Sequence, residues 1–328
     1  MMENIWPIEI NIILFLQSLG LWLKPIFSAI TFLGSEEFYM VVMPALYWCL
    51  SAALGFRIGL ILLLSGTFNT IFKWLGASPR PYWVDTRVSA MSSETGFGLP
   101  SGHSMNSASI WGLMGFKIGK SWSIIGALVI IFLIGISRLY LGVHFVSDVL
   151  AGWLLGGLLL FAFLKLDKPI SKWLSGLSLT SQVLLSVGSS LLIIVLSLAT
   201  VLLRQNWTLP ELWLTNALAA GAEAPNPLAI SGIFTSAGTW LGMALGYTLL
   251  HHFQGGFNAD GTIWQLIMRY AIGLVGVLIL WKGLGAILPT EPDVLASILR
   301  YLRYALVGLW IAWWAPVVFF KLKIAKPV

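Results

Sequence analysis

"WSIIGALVIIFLIGISRLYLGVHFVSDVLAGWLLGGLLLFAFL", residues 122–164, decides the fold class. It holds two apolar runs, near 122–140 and 143–164, each long enough to cross a bilayer as a helix, which takes roughly 17–25 residues. At their junction Arg138, His144 and Asp148 fall within eleven positions of an otherwise oily stretch. Working outward, similar runs recur near 36–54, 57–75, 102–118, 182–203, 228–250, 265–288 and 300–320, making nine in all. The whole chain agrees with that reading. Its 328 residues are 58% hydrophobic and 10% charged, with a mean hydropathy of +0.88, whereas soluble domains carry about 25% charged residues. The expected fold is all-α, a polytopic membrane helical bundle of about nine transmembrane helices.

The first thirty-odd residues are apolar but broken by Gln17, Gly20, Lys24 and Pro25. They predict a kinked helix lying in the membrane interface, the alternative being a tenth span. No basic region precedes them in "MMENIWPIE", so no cleaved signal peptide is expected. The net charge of +6 comes from scattered residues with no Lys/Arg stripe, so no nucleic-acid partner is expected. With nine spans, Lys117 and Lys120, Lys165, Lys168 and Lys172, and Lys321, Lys323 and Lys326 share one side, which the positive-inside rule makes cytoplasmic. The opposite side then receives the 76–101 loop, the 139–144 turn, the region of Glu211 and Glu223, and residues 289–293. Cys49, the single cysteine, reads as a small buried hydrophobe and cannot form an intramolecular disulfide.

Polar residues divide the chain. Lys73, Arg80, Asp85, Arg87, Glu94, Ser101, His103, Arg138, His144 and Asp148 all lie between 73 and 148, and beyond Asp167 the spans turn bland. Residues 1–35 therefore read as an interfacial segment, 36–166 as the functional bundle and 167–328 as a helical extension. In the extension, "GTWLGMALG" repeats Gly238, Gly242 and Gly246 every four residues on one helix face, which lets two helix backbones approach closely. Packing within the chain is favoured over dimerisation, and Gly152 and Gly156 repeat the pattern earlier.

Three segments carry chemistry. "FKWLGASPRPYWVDTRVS" (72–89) sets Lys73 and Arg80 seven apart, with Pro79 and Pro81 bracketing the arginine. Alone these could be a snorkelling lysine and a solvated arginine. The two prolines, however, stiffen the backbone around a guanidinium, which suits a fork that must grip a bidentate anion such as phosphate. "GFGLPSGHSMN" (96–106) reads as a helix start with Ser101 as N-cap, leaving amides near Ser101, Gly102 and His103 directed outward, where phosphate oxygens bind. Gly102 permits close approach to the backbone, and His103 could supply a proton. His144 and Asp148, four apart, share a helix face, so the carboxylate can fix the imidazole tautomer and free the other nitrogen as base or nucleophile. Arg138 would face the same volume across the short "LYLGV" connection. Ionisable groups at membrane depth are costly and mark function by default.

Together the three segments resemble the signature of the type 2 phosphatidic acid phosphatase superfamily, which includes glucose-6-phosphatases and vanadium haloperoxidases. Lys73 to Arg80-Pro81, Pro100-Ser101-Gly102-His103, and Ser137-Arg138 to His144 to Asp148 match every position of its three motifs. The resemblance implies a six-helix-type phosphatase core and a role for each residue. His144 would attack phosphorus and form a phosphohistidine, Asp148 would orient it, and His103 would protonate the leaving oxygen. Lys73, Arg80 and Arg138, with Ser101 and the Gly102 amide, would clamp the phosphate oxygens. The family works without metal or cofactor, and none is expected here. The wording of the motifs also resembles the glucose-6-phosphatase branch.

The expected enzyme is thus a multi-pass phosphatase of a plasma (inner) membrane, with its site on the extracytoplasmic face and its C-terminus cytoplasmic. Its partners would be membrane lipids and a phosphomonoester or diphosphate, first a phosphorylated lipid and otherwise a sugar phosphate. A phosphotransferase using the same phosphohistidine is a third possibility, and a transporter is disfavoured because the charges gather near one face. Homo-oligomerisation is left open. Glu94 could bond a sugar hydroxyl or cap its loop; Asp85 and Arg87 read as solvated loop charges, and His251 and His252 as interface residues.

Overall fold

The computed structural model describes residues 5–289 and 293–328. The first four residues of the stretch read for a leader, and most of the 289–293 segment placed opposite the lysines, lie outside the described residues. Helix α1 (Trp6–Ser18) and helix α2 (Lys24–Phe32) are joined by a single tight turn over Leu21–Leu23 and bent by 86°. Gly20 makes the bend with φ +110°, where a Cβ would be strained. There follow α3 (Glu36–Cys49), α4 (Ala52–Gly76), the single turn α5 (Pro81–Val84), α6 (Gly102–Ile118), α7 (Ser121–Tyr140), α8 (Val146–Ser175) and α9 (Leu179–Leu202). The remainder comprises α10 (Glu211–Ala219), α11 (Ser231–Gln254), α12 (Ile263–Leu278), α13 (Leu284–Ile287), α14 (Val294–Leu309) and α15 (Ala315–Lys321). Wider π-helical turns at Ile279–Gly283 and Trp310–Trp314 carry α12 into α13 and α14 into α15.

Among the described residues seven helices are long and apolar enough to cross a membrane, or eight if the bent α1–α2 pair counts as one span. Two of the nine expected stretches form shorter helices. Stretch 36–54 yields the 14 residues of α3, with Pro44 inside, and 102–118 yields the 17 residues of α6. At 1.5 Å per residue, α6 reaches about 25 Å, short of the roughly 30 Å apolar core of a bilayer.

The chain forms two compact units, each drawn from three stretches: Met1–Phe38, Phe68–Leu164 and Ala199–Ala229 in one, Tyr39–Thr67, Lys165–Leu198 and Ile230–Val328 in the other. In the first, small residues bring α8 onto α6. A Cβ at Gly152 would stand 2.6 Å from the Ser101 carbonyl oxygen, and one at Gly156 would stand 2.5 Å from that of Met105. Gly135 on α7 likewise receives the Trp153 ring of α8. The chain between α9 and α11 folds over the loop preceding α6. Trp207 packs edge-on against Phe97, Asn216 donates to the Trp83 carbonyl at 3.0 Å, and Arg204 donates to the carbonyls of Trp74 and Leu75 at the end of α4.

In the second unit, the glycine face of α11 meets α14. Gly238 and Gly242 lie against the backbone carbonyls of Tyr301 and Ala305, and Gly246 lies against Ala312. Buried Arg269 donates to four backbone carbonyls, those of Ile324, Trp48, Ala259 and Asp260, as a buried guanidinium requires. Arg57 and Asp167 pair at 2.8 Å.

Candidate active site

The site lies within the first unit, where the end of α4, the 77–101 loop and the α7–α8 turn converge. Pro79 and Pro81 hold Arg80 extended, at φ −99° and ψ 157°, just before α5. Its guanidinium is fully buried and staples the loop to the turn. Nε donates to Gly96 at 2.7 Å, one terminal nitrogen to Val143 at 2.9 Å and the other to Phe97 at 3.2 Å.

The nitrogen bound to Val143 also lies 3.3 Å from His144 Nε2. An arginine can only donate, so Nε2 faces it as a lone pair and Nδ1 carries the ring proton. Nδ1 in turn lies 3.1 Å from Asp148 Oδ2, which also accepts from the Phe145 amide at 3.0 Å. Asp148 is fixed at its backbone as well, because its carbonyl accepts from the Ser101 amide at 2.9 Å. The N-terminus of α6 is thereby tied to the N-terminus of α8. Ser101 caps α6, its hydroxyl accepting from the Ser104 amide and hydroxyl at 3.4 and 3.0 Å. Gly98 is confined in the same corner, since a Cβ there would lie 2.5 Å from the Pro79 carbonyl oxygen and 2.9 Å from Asp148 Oδ2.

Glu94 completes the charge pattern. Its carboxylate stands between Arg138, which it binds directly, and Arg80, whose nearest nitrogen is 3.6 Å away. Tyr82 holds Glu94 in place, donating its hydroxyl proton to the Glu94 carbonyl at 2.9 Å and accepting from the Glu94 amide at 3.3 Å. Burial opposes ionisation of this carboxyl. The fields of Arg80 and Arg138, then of His103 and Lys73, outweigh it and hold the group well below the usual carboxylate range. Those same four groups, Arg80, Arg138, Lys73 and His103, also act electrostatically on His144. The Lys73 ammonium lies beside Gly96, and Gly102 is packed against Asn69, since a Cβ there would stand 3.1 Å from the Asn69 side-chain oxygen. The eight residues expected from the sequence, Lys73, Arg80, Ser101, Gly102, His103, Arg138, His144 and Asp148, thus lie close together where the end of α4, the loop, the start of α6 and the α7–α8 turn meet.

The side residues separate. Asp85 and exposed Arg87 pair with each other at 2.6 Å, and the His251 ring in the other unit packs tilted against Tyr247. Sequence reasoning missed a supporting layer from the N-terminal segment. Glu9 accepts from Ser147, Thr31 accepts from Arg138 at 3.0 Å, and the Gln17 side chain bonds the backbone of both Ser89 and Tyr140. The signs of this in the sequence were polar residues inside an apolar run, the carboxylate Glu9 and the amide Gln17.

Comparison with known proteins adds a second line of observation. A family model described as the PAP2 superfamily matches residues 54–172, the stretch that carries all three motifs, and a model described as a PAP2 superfamily phosphatase transmembrane extension matches 234–327. Phosphatidylglycerophosphatase B of Bacillus subtilis is 32% identical over 169 residues, covering 46% of this chain and 79% of that protein. The chain belongs to the PAP2 superfamily. It is a PAP2-type membrane phosphatase, a phosphoric-ester hydrolase, with a helical core and a C-terminal transmembrane extension. Glucose-6-phosphatase 3 of Bos taurus is 31% identical over 196 residues, covering 52% of this chain and 56% of its own length. The crystal structure of a transmembrane PAP2-type phosphatidylglycerolphosphate phosphatase from Bacillus subtilis is 28% identical, covers 49% of this chain and 86% of that one, and has a TM-score of 0.42.

Proposed function

We propose that this PAP2 phosphatase hydrolyses an extracytoplasmic lipid phosphate through a phosphohistidine on His144. One observation carries the reading: His144 is held by Asp148 through Nδ1 while its Nε2 lone pair faces the Arg80 guanidinium. In that frame Lys73, Arg80 and Arg138 grip the phosphate oxygens, and Ser101 and the Gly102 amide add donors at the start of α6. His144 Nε2 attacks phosphorus; the P–N bond forms as the bond to the leaving oxygen breaks, and His103 gives that oxygen its proton. Water then attacks phosphorus, His103 takes its proton, and the P–N bond breaks to release phosphate and restore His144. Phosphoryl transfer of this kind depends on positioning and charge neutralisation. In this reading Glu94, bound to Arg138 and 3.6 Å from Arg80, competes with the phosphate for their donors.

The lipid assignment rests on a site built at the ends of apolar helices and on similarity to an enzyme named phosphatidylglycerophosphatase. Similarity to glucose-6-phosphatase 3 favours a second reading, a soluble sugar phosphate. Phosphate release in magnesium-free detergent, from phosphatidate, phosphatidylglycerophosphate, undecaprenyl diphosphate and glucose 6-phosphate, separates the two. His144→Ala and His103→Ala are expected to abolish release from the preferred substrate. Full activity in either variant rejects the mechanism, and preference for glucose 6-phosphate rejects the lipid reading.

A further inference from the structure

The N-terminal helices lie outside the stretch matched by the superfamily model, which begins at residue 54, yet they are bonded to the end of α7, which carries Arg138, and to the start of α8, which carries Asp148 just after His144. Glu9 on α1 is a buried carboxylate, 7% exposed. It accepts from the Ser147 amide at 2.7 Å and from the Ser147 hydroxyl at 3.2 Å. Three residues earlier on the same helix, Trp6 stacks on Phe145 with ring centres 5.6 Å apart and planes 9° apart. Residues 145 and 147 are the positions through which the backbone passes between His144 and Asp148. The Phe145 amide is itself bonded to Asp148 Oδ2, so any shift of residues 145–147 moves the carboxylate relative to the imidazole.

Four further bonds fix the frame from which α1 acts. The Tyr140 hydroxyl donates to the Gly20 carbonyl at 2.7 Å, and the Gln17 side chain bonds both the Tyr140 carbonyl and the 89 position of the active-site loop. A carboxylate in an apolar helix is costly without such partners. Its placement on the first turn of α8 also suits the positive end of that helix.

We infer that Glu9 is a positioning residue for the phosphoryl-transfer step: through Ser147 it holds the start of α8 so that Asp148 and His144 keep their 3.1 Å alignment. This rests on the proposed role of His144. Glu9 touches none of the cationic groups that would bind phosphate, so its loss should lower kcat and leave KM unchanged.

The test uses the full-length protein in detergent, with Glu9→Ala and Glu9→Gln compared with wild type and with His144→Ala. A misplacement of about 1 Å can cost about a hundredfold in rate, so Glu9→Ala is expected to lose about tenfold or more in kcat. KM and the inhibition constant of inorganic phosphate should stay within about twofold, since uniform binding is untouched. If Glu9→Ala fails to fold, as judged by its melting curve, Glu9→Gln decides: it keeps one acceptor oxygen and the side-chain volume, and is expected to lose kcat in part with the same KM. A folded variant with wild-type kcat, or one whose loss falls in KM alone, overturns the inference. An active His144→Ala rejects the phosphohistidine reading instead, whatever Glu9 does.

Discussion

Replacing Glu94 with glutamine removes one negative charge from between two guanidinium groups while keeping the side chain's volume. Arg80 and Glu94 stand 3.6 Å apart. At the effective dielectric of about 20 that describes such sites, unit charges at that separation attract by about 4–5 kcal/mol before desolvation is counted. Breaking one partner out of a buried pair typically costs 3–5 kcal/mol. The Glu94 side chain remains 29% exposed, so the lower end applies, about 3 kcal/mol. Glu94→Gln should therefore melt earlier than wild type when no anion is present.

Inorganic phosphate should reverse the deficit. In wild type an incoming phosphate displaces a carboxylate from beside Arg80 and Arg138, whereas in the variant it displaces only a neutral amide. With 1.4 kcal/mol per tenfold, phosphate should bind the variant about ten- to a hundredfold more tightly. Ligand-linked stabilisation then raises its melting point more than that of wild type at equal phosphate. Thermal melts in detergent across a phosphate series, together with the inhibition constant of phosphate, read both quantities. A variant that melts with wild type, or binds phosphate no more tightly, refutes the idea that Glu94 stands in for the substrate.

The pH dependence carries its own sign. Because the folded carboxyl is held below its ordinary value, its stabilisation is fully present above the unfolded value, about 4.3, and is lost as pH falls through the folded one. The stability gap between wild type and Glu94→Gln should be flat from neutral pH down to about 5 and close only in stronger acid.

Two glycine substitutions test the packing that holds the site and the extension. Gly98→Ala places a methyl 2.5 Å from the Pro79 carbonyl and 2.9 Å from Asp148 Oδ2. It should cost about 1–3 kcal/mol through overpacking and lower kcat by displacing Asp148, as read by melting curves and phosphate release; wild-type values in both would reject this geometry. Gly242→Ala drives a methyl into the Ala305 carbonyl and to 2.6 Å from the Leu309 amide. A similar loss of about 1–3 kcal/mol should appear in the melt, with KM unchanged in the fraction that stays folded.

Much of this protein was legible along the chain because the deciding signals are local. Helix length and apolarity are set within twenty-odd consecutive residues, and seven of the nine expected stretches became long apolar helices. The two that came out shorter contain features visible in hindsight, Pro44 within α3 and the polar start Gly102-His103-Ser104 of α6. The alignment of His144 with Asp148 follows from a four-residue spacing on one helix turn, and the bracketing of Arg80 by prolines follows from the rigidity of their rings. Motif spacing likewise carried the family.

What tertiary structure alone decided are contacts between residues far apart in the chain. Glu94 could be a loop cap or a sugar ligand until Arg138, 44 positions on, was found against it. Glu9 meets Ser147 across 138 positions, and Arg204 reaches the end of α4 across 130. No local periodicity encodes such pairs, because they depend on how helices pack, and that packing is set by where glycines let backbones touch. Gly152 and Gly156 announced a close contact in the sequence; that the partner is α6, and that the contact therefore draws Asp148 onto Ser101, was decided only by the folded chain.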